Sequence, residues 1–338
     1  MNKATKSILS LAVGSAAVAY ANSQIFSKAE TLTNELGGDG KFWRGPHGDI
    51  FHTCQGKGSD VVLVHGIYPG ASTYEWRRNF DALSEHYKVY AIDLLGFGLS
   101  DKPGANLTSG MQIETLRAFL EQVVGRSAAV VACGESASYA IQIGSDSPKL
   151  IKILVLSGPI HYGPRPQPEH NMSPLALPLV LTTAWNVSTS LAGLRYYLMN
   201  SVYFDPSHVD DDMVQYYSTA THQYGSQYVF PSLLAGRLRH DASEALRTMS
   251  QTSVHAIYGR ESRLVPLSTA EQFRSLLPTA EITIFDRCGA LPQDEQAQPF
   301  NRLVLNVLAS DGSFETSRPR KTPPSIEAKQ QPQEQDND

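Results

Sequence analysis

Two stretches decide the fold: residues 61–66 read VVLVHG, and residues 88–103 read KVYAIDLLGFGLSDKP. Each opens with a short apolar run typical of a buried strand, and each run ends in a glycine-containing turn. A third run, AAVVAC at residues 128–133, leads through a small-residue turn into a helical pattern. Strands and helices alternate from Asp60 onward, which predicts the α/β class: a mostly parallel sheet wrapped by helices.

The turn after the third run reads GESAS at residues 134–138. A G-x-S-x-small pattern between a strand and a helix is typical of a sharp turn that lifts a nucleophilic serine clear of the sheet. The pattern therefore predicts Ser136 as the nucleophile. A hydroxyl is a weak nucleophile near neutral pH, so Ser136 needs an adjacent base to take its proton.

The His-Gly turn, the D-x-x-G-x-G-x-S-D-x-P loop and the serine turn occur in the order and spacing of the α/β-hydrolase superfamily, which residues 42–308 resemble. The resemblance points to the branch with a helical cap, which contains esterases, haloalkane dehalogenases and epoxide hydrolases. The last two use an aspartate nucleophile, so Ser136 argues against those activities. The resemblance also implies an oxyanion hole formed by the backbone N–H groups of Ile67 and Ala137, with His65 bracing the turn.

Two positions depart from the superfamily's catalytic triad. Residues 259–266 read GRESRLVP, which places Ser262 where the acid usually stands, with Glu261 one residue early as the remaining candidate. Residues 288–295 read CGALPQDE, with Ala290 in place of the usual histidine. The best substitute base is His161, which follows a predicted strand at the sheet edge where ligands bind in open α/β sheets.

Two functions follow from this conflict. The first is an esterase-like serine hydrolase that acts on acyl substrates in an apolar capped pocket, using Ser136 and an unidentified base. The second is a non-catalytic descendant that binds a small apolar ligand or a protein partner. Loss of triad members lowers the turnover of serine hydrolases by about 10⁴- to 10⁶-fold, so a bare serine is nearly inert.

The composition excludes several other classes. The chain has 338 residues, of which 41% are hydrophobic and 18% charged, with a net charge of −5. That charge is too mild to indicate a nucleic-acid partner. The sequence has no dinucleotide fingerprint, phosphate-binding loop or metal-ligand spacing, so we expect no cofactor and no metal. The predicted partner is a small apolar or ester-type molecule.

The predicted organisation has five parts. Residues 1–30 are a signal peptide or N-terminal arm, because two lysines precede an apolar stretch and an A-x-A-like site. Export or membrane association is the predicted localisation, with the cytoplasm as the alternative. The other parts are a first core segment over 42–159, a helical cap over 160–250, a second core segment over 251–310, and a disordered tail over 311–338.

Overall fold

The computed structural model describes residues 3–104, 106–160, 177–312 and 314. Its centre is one eight-stranded sheet. The strands are β1 Lys41–Gly45, β2 Gly48–Gln55, β3 Asp60–Val64, β4 Lys88–Ile92, β5 Ala128–Cys133, β6 Ile151–Ser157, β7 Ser253–Gly259 and β8 Glu281–Phe285. Their order across the sheet is β1-β2-β4-β3-β5-β6-β7-β8.

The sheet is mostly parallel. Only β1 with β2 and β2 with β4 pair antiparallel, while β3 to β8 form parallel pairs. Crossover helices between parallel strands cover both faces, which explains why all of β3 and β5 is buried. The predicted mostly parallel sheet wrapped by helices is confirmed.

Helices lie between and around these strands. They are α1 Lys3–Ser27, α2 Phe80–Ser84, α3 Ser109–Phe119, α4 Ser136–Asp146, α5 Leu177–Ser188, α6 Leu191–Tyr197, α7 Asp211–Thr221, α8 Val229–Leu234, α9 Ser243–Thr248, α10 Leu267–Leu276, α11 Pro292–Glu295 and α12 Ala297–Ser310. Short 3-10 turns span Thr73–Trp76, Pro206–His208 and Ser226–Tyr228, and single π turns span Leu120–Val124 and Leu198–Val202.

The core lies on both faces of the sheet. Side chains alternate along each strand, so that in β5 Val130 joins the apolar cluster on one face and Val131 the cluster on the other. Because both faces of the sheet are buried, polar side chains can meet a ligand only at the turns beyond the strand ends. In open α/β sheets these sites lie beyond the carboxyl ends of the strands.

Helices α5 to α9 all lie between β6 and β7, within the predicted cap range. The first part of that range, residues 161–176, lies outside the described residues, as does the predicted tail apart from residues 311, 312 and 314. The domain boundaries therefore stay predictions. Helix α10, by contrast, follows β7 and packs against it, as a crossover helix of the sheet does.

Helix α1 joins the molecule through its C-terminal end. Asn22 is buried and donates to the Thr183 hydroxyl at 3.0 Å, while the Asn186 amide donates to Asn22 at 2.9 Å. The ring of Phe26 lies 5.8 Å from that of His222. By contrast, every residue from Val13 to Ala21 is exposed. No helix among the described residues is both long and apolar enough to cross a membrane.

Candidate functional site

A cavity of about 510 Å³ lies beyond the carboxyl ends of the central strands. We call it the main cavity. It is lined by Gly66, Ile67, Tyr68, Cys133, Gly134, Glu135, Gly158, Ile160, Tyr197, Arg239, Leu264, Val265, Thr269, Gln272, Ala290 and Leu291. A smaller cavity of about 170 Å³ adjoins it and shares Ile67, Glu135, Ile160 and Arg239. The size of the main cavity falls in the range of small-molecule sites, about 300–1,000 Å³.

The floor of the main cavity is the turn that connects β5 to α4. Gly134 has φ of +58°, the left-handed region that favours glycine, whereas Glu135 already has helical angles. Ser136 is the first residue of α4. A β-carbon at Gly134 would meet no other atom within 4 Å, so a side chain there would have open space before it. In this turn the left-handed backbone conformation falls at Gly134, not at Ser136.

The structure places Ser136 away from the main cavity. Its side chain is completely buried, and its hydroxyl donates to the Cys133 carbonyl at 2.8 Å, with the Val64 carbonyl at 3.3 Å. Ser136 and the equally buried Ala137 are absent from the cavity lining. The hydroxyl that sequence analysis selected as nucleophile is thus held against backbone carbonyls beneath the turn.

The residues in the two loops where the sequence comparison predicts the acid and the base of a triad have other hydrogen-bond partners. Ala290 lines the main cavity, and its N–H donates to the Val202 carbonyl at 2.7 Å. The Glu261 carboxylate accepts the Cys288 N–H at 3.0 Å, and the Ser262 hydroxyl accepts the Val265 N–H at 3.0 Å. Neither Glu261 nor Ser262 lines the cavity. Among the described residues, the structure does not bring Glu261 together with Ser136.

No histidine belongs to the described lining of the main cavity. His161, the predicted substitute base, lies outside the described residues. His240, between α8 and α9, bonds Gln142 through its ring at 2.8 Å, and its backbone N–H donates to Glu135 at 2.7 Å. In the described part of the chain, we therefore find no imidazole that faces the turn at Gly134.

His65 is a structural residue, as predicted. It is fully buried; Nδ1 donates to the Gly66 carbonyl at 2.6 Å and Nε2 accepts the Leu94 N–H at 2.9 Å. Burial lowers the pKa of His65 to about 4, which keeps the ring neutral. The turn that it braces places Ile67 in the cavity wall, where sequence analysis expected an oxyanion-hole residue.

Beneath the cavity lies a buried polar network that the sequence did not reveal. Glu75 is 1% exposed and accepts hydrogen bonds from the Gly66 N–H, the Tyr68 hydroxyl and the Gln293 amide at 2.7–2.9 Å. Desolvation raises the pKa of Glu75, while these donors oppose that shift. The Gln293 oxygen also accepts the Ser157 hydroxyl at 2.6 Å. The network ties the turn after β3 to α11 and the end of β6.

Two charged side chains of the cavity wall, Arg239 and Glu135, were not among the predicted site residues. Arg239 reaches both cavities, and its guanidinium has no hydrogen-bond or ion-pair partner among the residues that the structure describes. Glu135 is 4% exposed and accepts the Ser138 hydroxyl at 3.1 Å besides the His240 N–H. Arg239 lies on the loop after α8, and no sequence motif surrounds it. It reaches the cavity wall only through the tertiary fold, so the sequence alone did not indicate it. The described residues contain no metal-binding cluster of histidine, cysteine and acidic side chains.

Comparison with known proteins gives a consistent family. Residues 61–303 match the family model described as "Alpha/beta hydrolase family". The chain is 26% identical over 264 residues to the 2-hydroxy-6-oxo-2,4-heptadienoate hydrolase of Pseudomonas putida, which covers 76% of this chain and 91% of that protein. It is 25% identical to a 2-hydroxymuconate semialdehyde hydrolase of Pseudomonas putida, over 75% of this chain and 89% of that one.

Solved structures agree with the sequence relatives. A meta-cleavage product hydrolase from Pseudomonas fluorescens IP01 superposes with a TM-score of 0.68 and is 27% identical, covering 80% of this chain and 98% of that chain. A carbazole-degradation serine hydrolase has a TM-score of 0.67 at 22% identity, over 80% of this chain and 98% of that chain, and so supports the fold alone.

Proposed function

Because the chain belongs to the alpha/beta hydrolase family, we propose that it is a non-catalytic member, which binds a small organic ligand in the main cavity without cleaving it. A shared fold does not establish a shared activity, because the activity depends on the residues of the site. The observation that carries the proposal is the pair Gly134 and Ala290, which line the cavity at the turns after β5 and β8 and offer neither a nucleophile nor a base.

The nucleophile position falls at Gly134. In this family the nucleophile sits on the strained strand-to-helix turn, with its side chain exposed above the sheet. Gly134 has the positive φ of such a residue and open space where a side chain would project. Ser136 comes two residues later, at the start of α4. On this alignment Gly134, Ser262 and Ala290 replace the nucleophile, the acid and the base.

A serine hydrolase that uses Ser136 is the competing proposal. Family membership and the GESAS pattern favour it. For this reaction the Ser136 hydroxyl would have to leave the Cys133 carbonyl and reach the cavity from a fully buried position. It would also need a base, and the described lining of the cavity offers no histidine. The oxyanion-hole role of Ile67 and Ala137 belongs to this competing proposal.

The ligand that fits best is a small, largely apolar molecule with an acidic end. Most of the cavity wall is apolar, formed by residues such as Ile67, Ile160 and Leu291, and Arg239 is its cationic side chain. The relatives are named for hydroxy-oxo-dienoates and related acids. A carboxylate that reached Arg239 would gain charge-assisted hydrogen bonds, which are stronger than neutral ones.

One experiment measures binding and cleavage together. The protein is titrated with 2-hydroxy-6-oxo-2,4-heptadienoate, while the dienoate absorbance reports cleavage. We expect saturable binding, absorbance loss no faster in wild type than in Ser136→Ala, and at least about tenfold weaker binding in Arg239→Gln because a charged hydrogen bond is lost. The matched control is Arg237→Gln, which removes a neighbouring arginine that belongs to neither cavity lining. Cleavage by wild type that Ser136→Ala abolishes would contradict the proposal.

A further inference from the structure

The exposed apolar side chains of this protein are concentrated on one group of neighbouring elements. Among the described residues, eleven of the fourteen exposed large apolar side chains belong to α1, α5, α6, α8 and the short turns beside α8. Only Phe42, Leu264 and Ile284 lie elsewhere. Helix α5 contacts α1, α6 and α8, so these elements form one continuous region, which we call the cap face.

Several large aliphatic side chains on the cap face are exposed, although such side chains are usually buried. Val187 is 67% exposed and Leu234 is 57% exposed, although both are large aliphatic residues. In α1, all residues from Val13 to Ala21 are exposed in a segment rich in alanine and valine. An unpacked helical segment of this length is marginal in water. A group of exposed apolar side chains on neighbouring elements is typical of an interaction site.

The charge of the cap face points to the nature of its partner. Residues 1–29, 177–204 and 223–240 contain no acidic residue, although the whole chain has a net charge of −5. Their basic residues are Lys3, Lys6, Lys28, Arg195, Arg237 and Arg239. Arg195 is paired with Asp211 of α7 and Arg239 lines the two cavities, so the positive character of these segments rests on their basic, acid-free sequence. Exposed tyrosines, including Tyr20 and Tyr224, add the amphipathic rings that favour a membrane interface.

We propose that the cap face docks on the surface of an anionic lipid bilayer. Apolar side chains on basic, acid-free segments match the composition of surfaces that lie in the headgroup region. The elements of this face supply Leu233 to the smaller cavity and Tyr197 to the main one, so the docked protein presents both cavities beside the bilayer.

The test is flotation of the full chain with vesicles of phosphatidylcholine alone or with about 30% phosphatidylglycerol. We expect at least about tenfold stronger partition into the anionic vesicles, weakened by high salt because surface charges are then screened. The variant Val187→Ser/Leu191→Ser/Leu234→Ser should lose at least about tenfold of that partition, because it removes apolar side chains that insert. Since all three residues are exposed, the variant should fold normally, which circular dichroism checks.

The control is Phe42→Ser/Ile284→Ser, which removes two exposed apolar side chains outside the cap face and should bind as wild type does. Wild type that does not float with anionic vesicles would overturn the proposal, including the case in which the face instead mediates self-association. Equal flotation of the triple variant and wild type would overturn it as well, because the exposed side chains of α5, α6 and α8 would then contribute nothing to binding. No ligand is needed, so the outcome is independent of the function proposed for the cavity.

Discussion

At the scale of the residue, our proposal depends on whether the nucleophile position of the turn after β5 falls at Gly134 or, two residues later, at Ser136. The GESAS pattern favours Ser136, because serine stands at the position where a G-x-S-x-small motif carries its nucleophile. The backbone supports the proposal that the nucleophile position is Gly134 instead, because Gly134 has a positive φ and lines the main cavity. Ser136 begins α4, and its hydroxyl donates to the Cys133 carbonyl. A pattern of residue types does not reveal which of two neighbouring positions has a positive φ.

A prediction at this scale concerns His65. Burial lowers its pKa to about 4 in the folded protein, while the unfolded chain takes up this proton near the ordinary value of about 6.5. The unfolded state therefore binds more protons between these values, and stability is lost as the pH falls below about 6.5. From about pH 7.5 to about pH 5, the free energy of unfolding should fall by about 2 kcal/mol more in wild type than in His65→Leu.

Urea unfolding of both proteins at the two pH values measures this difference. Both proteins retain the other titrating groups, so the contributions of those groups to the pH dependence cancel in the comparison. One of them is Asp93, whose pKa is raised to about 6 by burial. An equal loss of stability in wild type and variant would mean that His65 takes up its proton in the folded state, contrary to its contacts with Gly66 and Leu94.

At the scale of the element, the strands were predictable and the loops beyond them only in part. The apolar runs that became β3, β4 and β5 are short, bounded by glycine turns and separated by helical patterns, so local sequence specifies them. Local sequence also identified the two loops that contain Ser262 and Ala290. Arg239 and Glu75 reach the site through contacts between elements that are far apart in the chain. No local sequence pattern predicts such contacts.

A cluster of ion pairs around Asp294 is one such long-range contact, and it links α11 to the turn after β3. Asp294 of α11 is 2% exposed and binds Arg77 and Arg78 at 2.7–2.8 Å, besides accepting the hydroxyl of Tyr203. Since Arg77 is largely buried, Asp294→Ala should lower the free energy of unfolding by about 3–5 kcal/mol, the cost of leaving a buried charge unpaired.

Chemical denaturation of Asp294→Ala against Glu244→Ala tests this. Glu244 forms an exposed pair with Arg247 at 3.4 Å, so its removal should change stability by less than about 1 kcal/mol. If the two variants were destabilised equally, Asp294 would not be the link between α11 and the turn after β3.

At the scale of the whole molecule, the chain has the architecture of its family, and we propose that it differs from the family at the catalytic positions. The mostly parallel sheet, the His-Gly turn and the cavity beyond the strand ends are all present, and residues 61–303 match the family throughout. On the alignment proposed above, the triad positions are Gly134, Ser262 and Ala290. The proposed substitutions at Ser262 and Ala290 can be inferred from the sequence, because the loops around them resemble the family pattern. The assignment of Gly134 also depends on the positive φ at this residue.

The most direct test is labelling with a fluorophosphonate probe, with the modified residue located by mass spectrometry. Wild type should stay unlabelled, whereas Gly134→Ser/Ser262→Asp/Ala290→His should be labelled at position 134, because it restores a serine facing the cavity together with its base and acid. The strain of a non-glycine residue at this φ, about 1–3 kcal/mol, is a cost that thermal unfolding of the variant would measure. Rapid labelling of wild type at Ser136 would contradict the account.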